Sequence, residues 1–330
     1  MSYKLKEMLW EFTLSCNKQC KYCGSKNILN KEKDAKVNRE HIAKEIASVK
    51  PNEVTFTGGE PSVMMDELKK CATILNKKGI VCKVLTNGNL FKNKLDKEFD
   101  DLFDCYGLSI NEEKDIDEAK KFLSNIPIEK TTIITNFGSH NYLSFDKLAK
   151  FAMLFPVWQV QLTMGNEYQL DLQDIESLQE HLIKLPNNML RVVRADNFKC
   201  GTCAAGQECC SVTWNGDVVP CLSYRAWKSD MMSQGNLFET PLSKIWKNSF
   251  KFFRNRKFIP CCKNISGIEK LEEKNKKVPF INNPSKKNDN SIFDTVFVYG
   301  VVSPDNKKER TWDFNTIITY GVVNRNNLQM

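Results

Sequence analysis

Three cysteines fall within eight residues near the amino end: Cys16-Asn17-Lys18-Gln19-Cys20-Lys21-Tyr22-Cys23, a C-x3-C-x2-C spacing. Thiolates are soft ligands that select zinc or iron–sulfur clusters. Zinc in a structural site closes a tetrahedron of four ligands, and no fourth Cys or His lies close to the trio in sequence. Ferredoxin-type clusters also use four cysteines. Three thiolates in one loop can hold three irons of a [4Fe–4S] cube and leave the fourth iron open. An open iron can bind a chelating molecule from outside the protein.

Composition agrees with a thiolate site. The 330 residues include 13 cysteines and only 3 histidines. His41, His140 and His181 are scattered, without paired spacing. A chain of this length buries a core without disulfides, so clustered cysteines read as metal-binding or catalytic. No run of 18 apolar residues exists, and Met1–Lys6 has no signal-peptide character. The expectation is a cytoplasmic protein with no membrane segment. The net charge of +8 is concentrated in residues 244–310, which reads as a solvated tail. No basic motif there is interleaved with aromatics, so a nucleic-acid partner is not expected.

A second cysteine field begins near residue 200. Cys203 and the run Trp214-Asn215-Gly216-Asp217-Val218-Val219-Pro220-Cys221 have the form C-x12-G-x4-C. The Asn-Gly-Asp turn is a hairpin signal that brings flanking cysteines together. Thiolates alone do not name the metal, and a zinc-ribbon-like site is the alternative. Cys71, Cys82 and Cys105 lie in helix or strand patterns and read as small buried residues.

These groups must be positioned by regular elements. Strand patterns occur at 8–14, 53–57, 81–85, 105–110, 131–135 and 158–162, and helical patterns at 39–49, 66–78, 116–125, 144–155 and 174–184. The alternation predicts an α/β fold with parallel strands and right-handed crossovers. Six units are too few for a closed eight-unit barrel, so an open, partial (β/α)6 barrel is expected. Functional groups then belong at the carboxyl ends of the strands. The cysteine loop, Gly58-Gly59-Glu60, Thr86-Asn87 and Ser109 all lie at such ends. The expected organisation is a core domain at 1–190, a small cysteine-rich domain at 191–262, a basic polar linker at 263–290 and a tail at 291–330. The tail holds a two-copy repeat, Phe293 to Val302 and Phe314 to Val323, at an offset of 21 residues.

The ordered set of motifs resembles the radical S-adenosylmethionine superfamily over residues 8–185. C-x3-C-x-aromatic-C is met with Tyr22 as the aromatic, Gly58-Gly59-Glu60-Pro61 follows the second strand, and Thr86-Asn87-Gly88 follows the third. The resemblance implies a [4Fe–4S] cluster on Cys16, Cys20 and Cys23, with S-adenosylmethionine chelating the open iron. Gly58, Gly59 and Glu60 would meet its amine and Tyr22 its adenine. Ser109 would meet its ribose or carboxylate, with Asn87 and Asn136 as further candidates. The segment from Cys203 through Gly235-Asn236-Leu237 and Pro241–Trp246 resembles the SPASM/twitch extension, which binds auxiliary [4Fe–4S] clusters. A full SPASM module continues with more cysteines than Cys261-Cys262, so the resemblance implies one auxiliary cluster. Its implied ligands are Cys203 and Cys221, with Cys209 or Cys210 and Cys261 or Cys262; Cys200 is an alternative to Cys203. A spare Cys209 or Cys210 would serve as hydrogen-atom donor.

Enzymes with this pairing mostly modify peptides or proteins. The function implied is hydrogen abstraction from a peptide or protein substrate to install a crosslink, an epimerisation or an oxidation. A flavodoxin or ferredoxin would supply electrons. Maturation of a partner enzyme and a small-molecule radical reaction are the alternatives. A zinc-binding module that contacts nucleic acid is the reading from another class.

Overall fold

The computed structural model describes residues 3–30, 36–163, 167–168, 170–185, 191–193, 205–222 and 233–254, together with four short strands between 293 and 324. The chain forms two compact units. One contains Met1–Ser109, Ala119–Thr131 and Ala204–Lys257, and the other Ile110–Glu118, Thr132–Cys203 and Phe258–Met330.

The first unit opens with β1 (Glu7–Thr13), α1 (Arg39–Val49), β2 (Glu53–Gly58), α2 (Met65–Asn76), β3 (Val81–Thr86), α3 (Lys97–Asp100) and β4 (Cys105–Ser109). The four strands pair in parallel, in chain order. Alternation along β1 puts Met8, Trp10 and Phe12 on one face. Trp10 and Phe12 pack edge-on at 5.1 Å, and Phe56 of β2 meets both. Ile42, Ala43, Ile46 and Ala47 of α1 and Leu68, Cys71, Ala72 and Leu75 of α2 supply the buried helix stripes. Each large apolar side chain buried there contributes about 1.5–3 kcal/mol. Asn38 caps α1 by accepting from the His41 N–H at 3.0 Å. Lys50 in the left-handed region and Pro51 then end it.

Glu7, Glu11, Glu53, Thr55 and Lys83 alternate with these apolar residues and are buried too. Glu53 and Lys83 pair at 2.8 Å with 1% of each side chain exposed. Burial drives the Glu53 carboxyl upward, and the Lys83 ammonium beside it draws it back. Removing one partner of a buried pair leaves an uncompensated charge. Lys83→Met is therefore expected to destabilise the protein by about 3–5 kcal/mol in chemical denaturation. The double variant with Glu53→Gln should recover most of that loss.

The second unit contains α4 (Glu113–Lys120), β5 (Thr131–Phe137), α5 (Phe145–Ala152), β6 (Val157–Leu162), α6 (Leu172–Lys184) and β7 (Arg191–Val193). β5, β6 and β7 pair in parallel. Phe137, Phe145 and Trp158 form its aromatic centre, with Phe145 and Trp158 5.5 Å apart. The Trp158 Nε1–H donates to Thr135 Oγ1 at 2.9 Å, so the buried indole is satisfied. The helix expected at 116–125 starts three residues earlier. The Asp115 carboxylate accepts from the N–H groups of Asn111 and Glu112, which fixes the first turn there.

The chain then re-enters the first unit with β8 (Cys209–Val212), β9 (Val218–Val219), α7 (Leu242–Asn248) and α8 (Lys251–Arg254). β8 pairs in parallel with β1, Glu7 opposite Cys209 through Trp10 opposite Val212. β9 returns antiparallel as a hairpin around Gly216, whose φ of +86° suits glycine. The strand order of this unit is β4-β3-β2-β1-β8-β9. Strand order is linear in both units, the open α/β arrangement expected of a partial barrel. In the tail, β10 (Phe293–Asp294) pairs with β13 (Val323–Asn324), and β11 (Pro304–Asn306) with β12 (Thr311–Trp312). The remainder of the two-copy repeat and the expected linker at 263–290 lie outside the described residues. Among the described residues no helix is long and apolar enough to cross a membrane.

Candidate active site

β1 delivers the cysteine loop at its carboxyl end. The β1–β2 register shifts between Glu11 and Thr13, an irregularity of the kind that re-aims a strand next to a site. Asn30 closes the loop that follows. Its Oδ1 accepts from the Cys16 N–H at 3.0 Å, its Nδ2 donates to the Cys16 carbonyl at 3.2 Å, and its N–H donates to the Leu14 carbonyl at 2.9 Å. Asn30 makes these bonds from φ +60°, a conformation asparagine tolerates. Buried Arg39 holds the strand end from the other side, its Nε donating to the Phe12 carbonyl and its guanidinium pairing with Glu67.

The three thiols Cys16, Cys20 and Cys23 are near enough to act on one another. Burial pushes the Cys16 thiol up, and Glu60 and Cys20 add to the rise. Burial also pushes Cys23 up, with Cys20 and Cys16 adding. Lys26 draws the Cys23 thiol back, but deprotonating crowded, buried thiols calls for further positive charge. A bound metal centre supplies that charge and deprotonates its thiol ligands. Among the described residues no three Cys, His, Asp or Glu side chains close around a single-ion position. A cubane needs a wider spacing, with one thiolate on each of three irons. Three free cysteines on one loop make an all-thiolate donor set, the chemistry by which iron–sulfur clusters are held.

Gly58 and Gly59 let the chain after β2 lie directly on this loop. The Gly59 N–H donates to the Thr13 carbonyl at 2.7 Å and the Glu60 N–H to the Ser15 carbonyl at 2.9 Å. A Cβ at Gly59 would collide with the Ser15 carbonyl, and one at Gly58, where φ is +122°, with that of Thr13. Glu60 is fully buried. It accepts from the Ser62 N–H at 3.1 Å, the Ser62 hydroxyl at 2.6 Å, the Thr86 hydroxyl at 3.0 Å and the Asn87 N–H at 2.6 Å. Burial raises its pKa, and these four donors oppose the rise. In this structure the carboxylate ties the end of β2 to the end of β3.

Asn87 lies beside the cysteine loop, its Nδ2 donating to Cys16 Sγ at 3.7 Å. Leu108 pairs with Thr86, so Ser109, half-buried, stands next to Asn87 at the same end of the sheet. Tyr22 is half-buried within the loop. Asn136 belongs to the second unit, where its N–H donates to Asn111 Oδ1 at 2.7 Å and its carbonyl accepts from Asn141. Sequence reasoning placed Thr86 at this rim but missed Asn17, Asn30, Arg39, Ser62 and Asn89. The one available signal was the density of Asn and Ser in the strand-end turns.

The second cysteine field is described in part. Cys200, Cys203, Cys261 and Cys262 lie outside the described residues. Ser211 pairs with Val219 and Val212 with Val218, and Cys221 follows two residues after β9, while the Cys209 carbonyl accepts from the Gly206 N–H at 2.7 Å. Cys209 and Cys210 pair with Glu7 and Met8. They sit at the amino end of β1, on the order of 17 Å from its cysteine-loop end at about 3.3 Å per residue. Cys210 is buried, which pushes its thiol well above the usual range.

The radical SAM superfamily model matches residues 10–112, and the SPASM iron–sulfur cluster-binding model matches residues 200–264. An uncharacterized protein of Methanocaldococcus jannaschii is 23% identical over 205 residues, 56% of this chain and 68% of that protein. SuiB of Streptococcus suis bound to the precursor peptide SuiA is similar at a TM-score of 0.58 and 17% identity, over 77% of this chain and 67% of that one. SuiB bound to S-adenosylmethionine gives a TM-score of 0.57 at 17% identity, over 76% and 68%. Native anSMEcpe with bound AdoMet and Cp18Cys peptide gives 0.50 at 17% identity, over 78% and 83%. At such identities the likeness is one of fold. The chain thus carries a radical SAM domain followed by a SPASM domain, in the order that the motifs require, which implies a [4Fe–4S] cluster with S-adenosylmethionine and auxiliary iron–sulfur as cofactors.

Proposed function

We propose that this radical SAM enzyme modifies a peptide or protein substrate. One observation carries the reading of the site: three free cysteines on a loop whose base is clamped against Gly58-Gly59 at the carboxyl end of parallel strands. When bound and reduced, the cluster would supply the electron for cleavage of S-adenosylmethionine and so the means of taking a hydrogen atom from substrate. Cys16, Cys20 and Cys23 hold three irons. Gly58 and Gly59 let the backbone approach closely, and Glu60 fixes the β2 and β3 turns around the site. Tyr22 and Ser109 line the loop and the neighbouring strand end, where adenine and ribose would lie.

The peptide substrate is supported by the SPASM match and by the fold shared with SuiB and anSMEcpe, both solved with peptides. Cys221, just past the β8–β9 hairpin, is proposed as a ligand of one auxiliary cluster with Cys203 and Cys261. The substrate is sought as a short peptide encoded beside the gene. Incubation of the deuterated peptide with anaerobic enzyme, reductant and S-adenosylmethionine should place deuterium in the released 5′-deoxyadenosine. Cys221→Ala should keep S-adenosylmethionine cleavage and lose the modified product. Normal product from that variant would remove the role assigned to Cys221. Deoxyadenosine that stays unlabelled with every neighbouring peptide would turn the assignment toward a small molecule.

A further inference from the structure

Five side chains near the cysteine loop form a closed ring of hydrogen bonds. The Ser62 hydroxyl donates to Glu60 Oε1 at 2.6 Å, and Asn89 Nδ2 donates to the Ser62 Oγ at 2.9 Å. Asn17 Nδ2 donates to Asn89 Oδ1 at 3.1 Å, and Asn87 Nδ2 donates to Asn17 Oδ1 at 2.8 Å. The Asn87 backbone N–H closes the ring on Glu60 Oε2 at 2.6 Å. From the ring Asn87 Nδ2 also donates to Cys16 Sγ at 3.7 Å, and the Thr86 hydroxyl joins it by donating to Glu60 Oε1 at 3.0 Å.

Amide oxygen and nitrogen are assigned from their partners, and here the partners decide. The Asn89 backbone N–H, which can only donate, meets Asn87 Oδ1 at 3.2 Å. The other end of the amide must then be the nitrogen. Its two protons match its two acceptors, Asn17 Oδ1 and Cys16 Sγ. A flip would set an oxygen against the sulfur and break the bond to Asn89. The buried Glu60 carboxylate fixes the direction of the protons around the ring, because it accepts from both of its ring neighbours.

We propose that Asn87 is a positioning residue that donates a hydrogen bond to the cluster-ligating sulfur of Cys16 and thereby sets the reduction potential of the cluster. The inference rests on the reading of Cys16 as a ligand. Hydrogen bonds to ligating sulfur tune iron–sulfur potentials. A donor there favours the reduced state, which carries the extra negative charge. The Glu60 carboxylate near Cys16 acts in the opposite sense, so the donor counterweights a charge that the fold needs for its own turns. The amide is committed to this ring, which separates its role from the contact with S-adenosylmethionine expected of Asn87.

The test is an EPR-monitored redox titration of the full reconstituted chain without S-adenosylmethionine, following the cubane signal that S-adenosylmethionine alters when added. Asn87→Ala should lower the reduced-to-oxidised ratio at a fixed potential by several-fold. Asn87→Asp keeps the bonds to Glu60 and to the Asn89 N–H and replaces the donor with a charge. It should lower the ratio further, and part of that loss should reverse at acidic pH as the carboxyl protonates. A merely structural role would reduce the amount of cluster and leave the potential of the remaining cluster unchanged. Wild-type potentials in both variants overturn the proposal while Cys16 stands as a ligand. A wild-type chain with no cubane that responds to S-adenosylmethionine overturns that reading and this one with it.

Discussion

Cys20→Ala should abolish S-adenosylmethionine cleavage. Release of 5′-deoxyadenosine is expected to fall by at least about three orders of magnitude, about 4 kcal/mol at 1.36 kcal/mol per decade. The reason is arithmetic at the site. The loop offers three thiols to a cube with four irons, and removing one leaves two vertices uncapped by protein. The cluster then lacks both the charge balance and the geometry that hold it. Iron and sulfide per chain should drop by the content of one cube, while auxiliary iron remains. Cys71→Ala is the control. Cys71 lies on the buried stripe of α2, and burial pushes its thiol up to about 12, so it is a protonated packing residue at neutral pH. That variant should lose some stability and keep full deoxyadenosine release. Cleavage by Cys20→Ala at more than a few per cent of wild type would refute the three-thiolate site.

Gly59→Ala should be nearly as damaging with no ligand removed. The added methyl meets the carbonyl of Ser15, lies 2.7 Å from the Ser15 carbonyl carbon and 3.0 Å from that of Leu14. These are backbone atoms that cannot rotate aside. Relief requires the cysteine loop to lift away from β2, which breaks the bonds from the Gly59 and Glu60 N–H groups to Thr13 and Ser15. The expected loss is about 1–3 kcal/mol of stability, together with failure to load the amino-terminal cluster under conditions that load the wild type. Gly24 follows Cys23 directly, and its added methyl would meet nothing within 4 Å. Gly24→Ala should change stability by no more than about 0.5 kcal/mol and leave cluster loading intact. Equal loading in the two variants would show that the close approach at Gly59 does not position the loop.

The α/β architecture was legible because its signals are local and periodic. The apolar stripe at Ile42, Ala43, Ile46 and Ala47 has helical spacing, and Met8, Trp10 and Phe12 alternate as a strand does. The cysteine trio and Gly58-Gly59-Glu60 were legible because chemistry fixes both residue type and spacing. The asparagine network was hidden, since Asn17, Asn30, Asn87 and Asn89 look like ordinary turn residues until the fold brings 17 and 30 against 87 and 16. The place of β8 was also hidden. A valine-containing strand after a cysteine field reads as part of a separate small domain, and only long-range pairing shows that it lies along β1. Glu60 shows a third kind of gap. The motif named the residue, but its four intramolecular donors come from Ser62 at its own turn, from Thr86 at the end of β3 and from Asn87 just after it.

β8 also limits how such a protein can be divided. It occupies the outer hydrogen-bonding side of the strand that carries the cysteine loop. A chain cut short before residue 200 would strip that side bare and leave a buried-type strand facing water, a template for self-association. The amino-terminal strands thus share one sheet with a strand that comes from beyond residue 200. Exchange of carboxyl-terminal portions between relatives must preserve the Glu7-to-Cys209 register, or the exchanged chain inherits an adhesive edge in place of a new specificity.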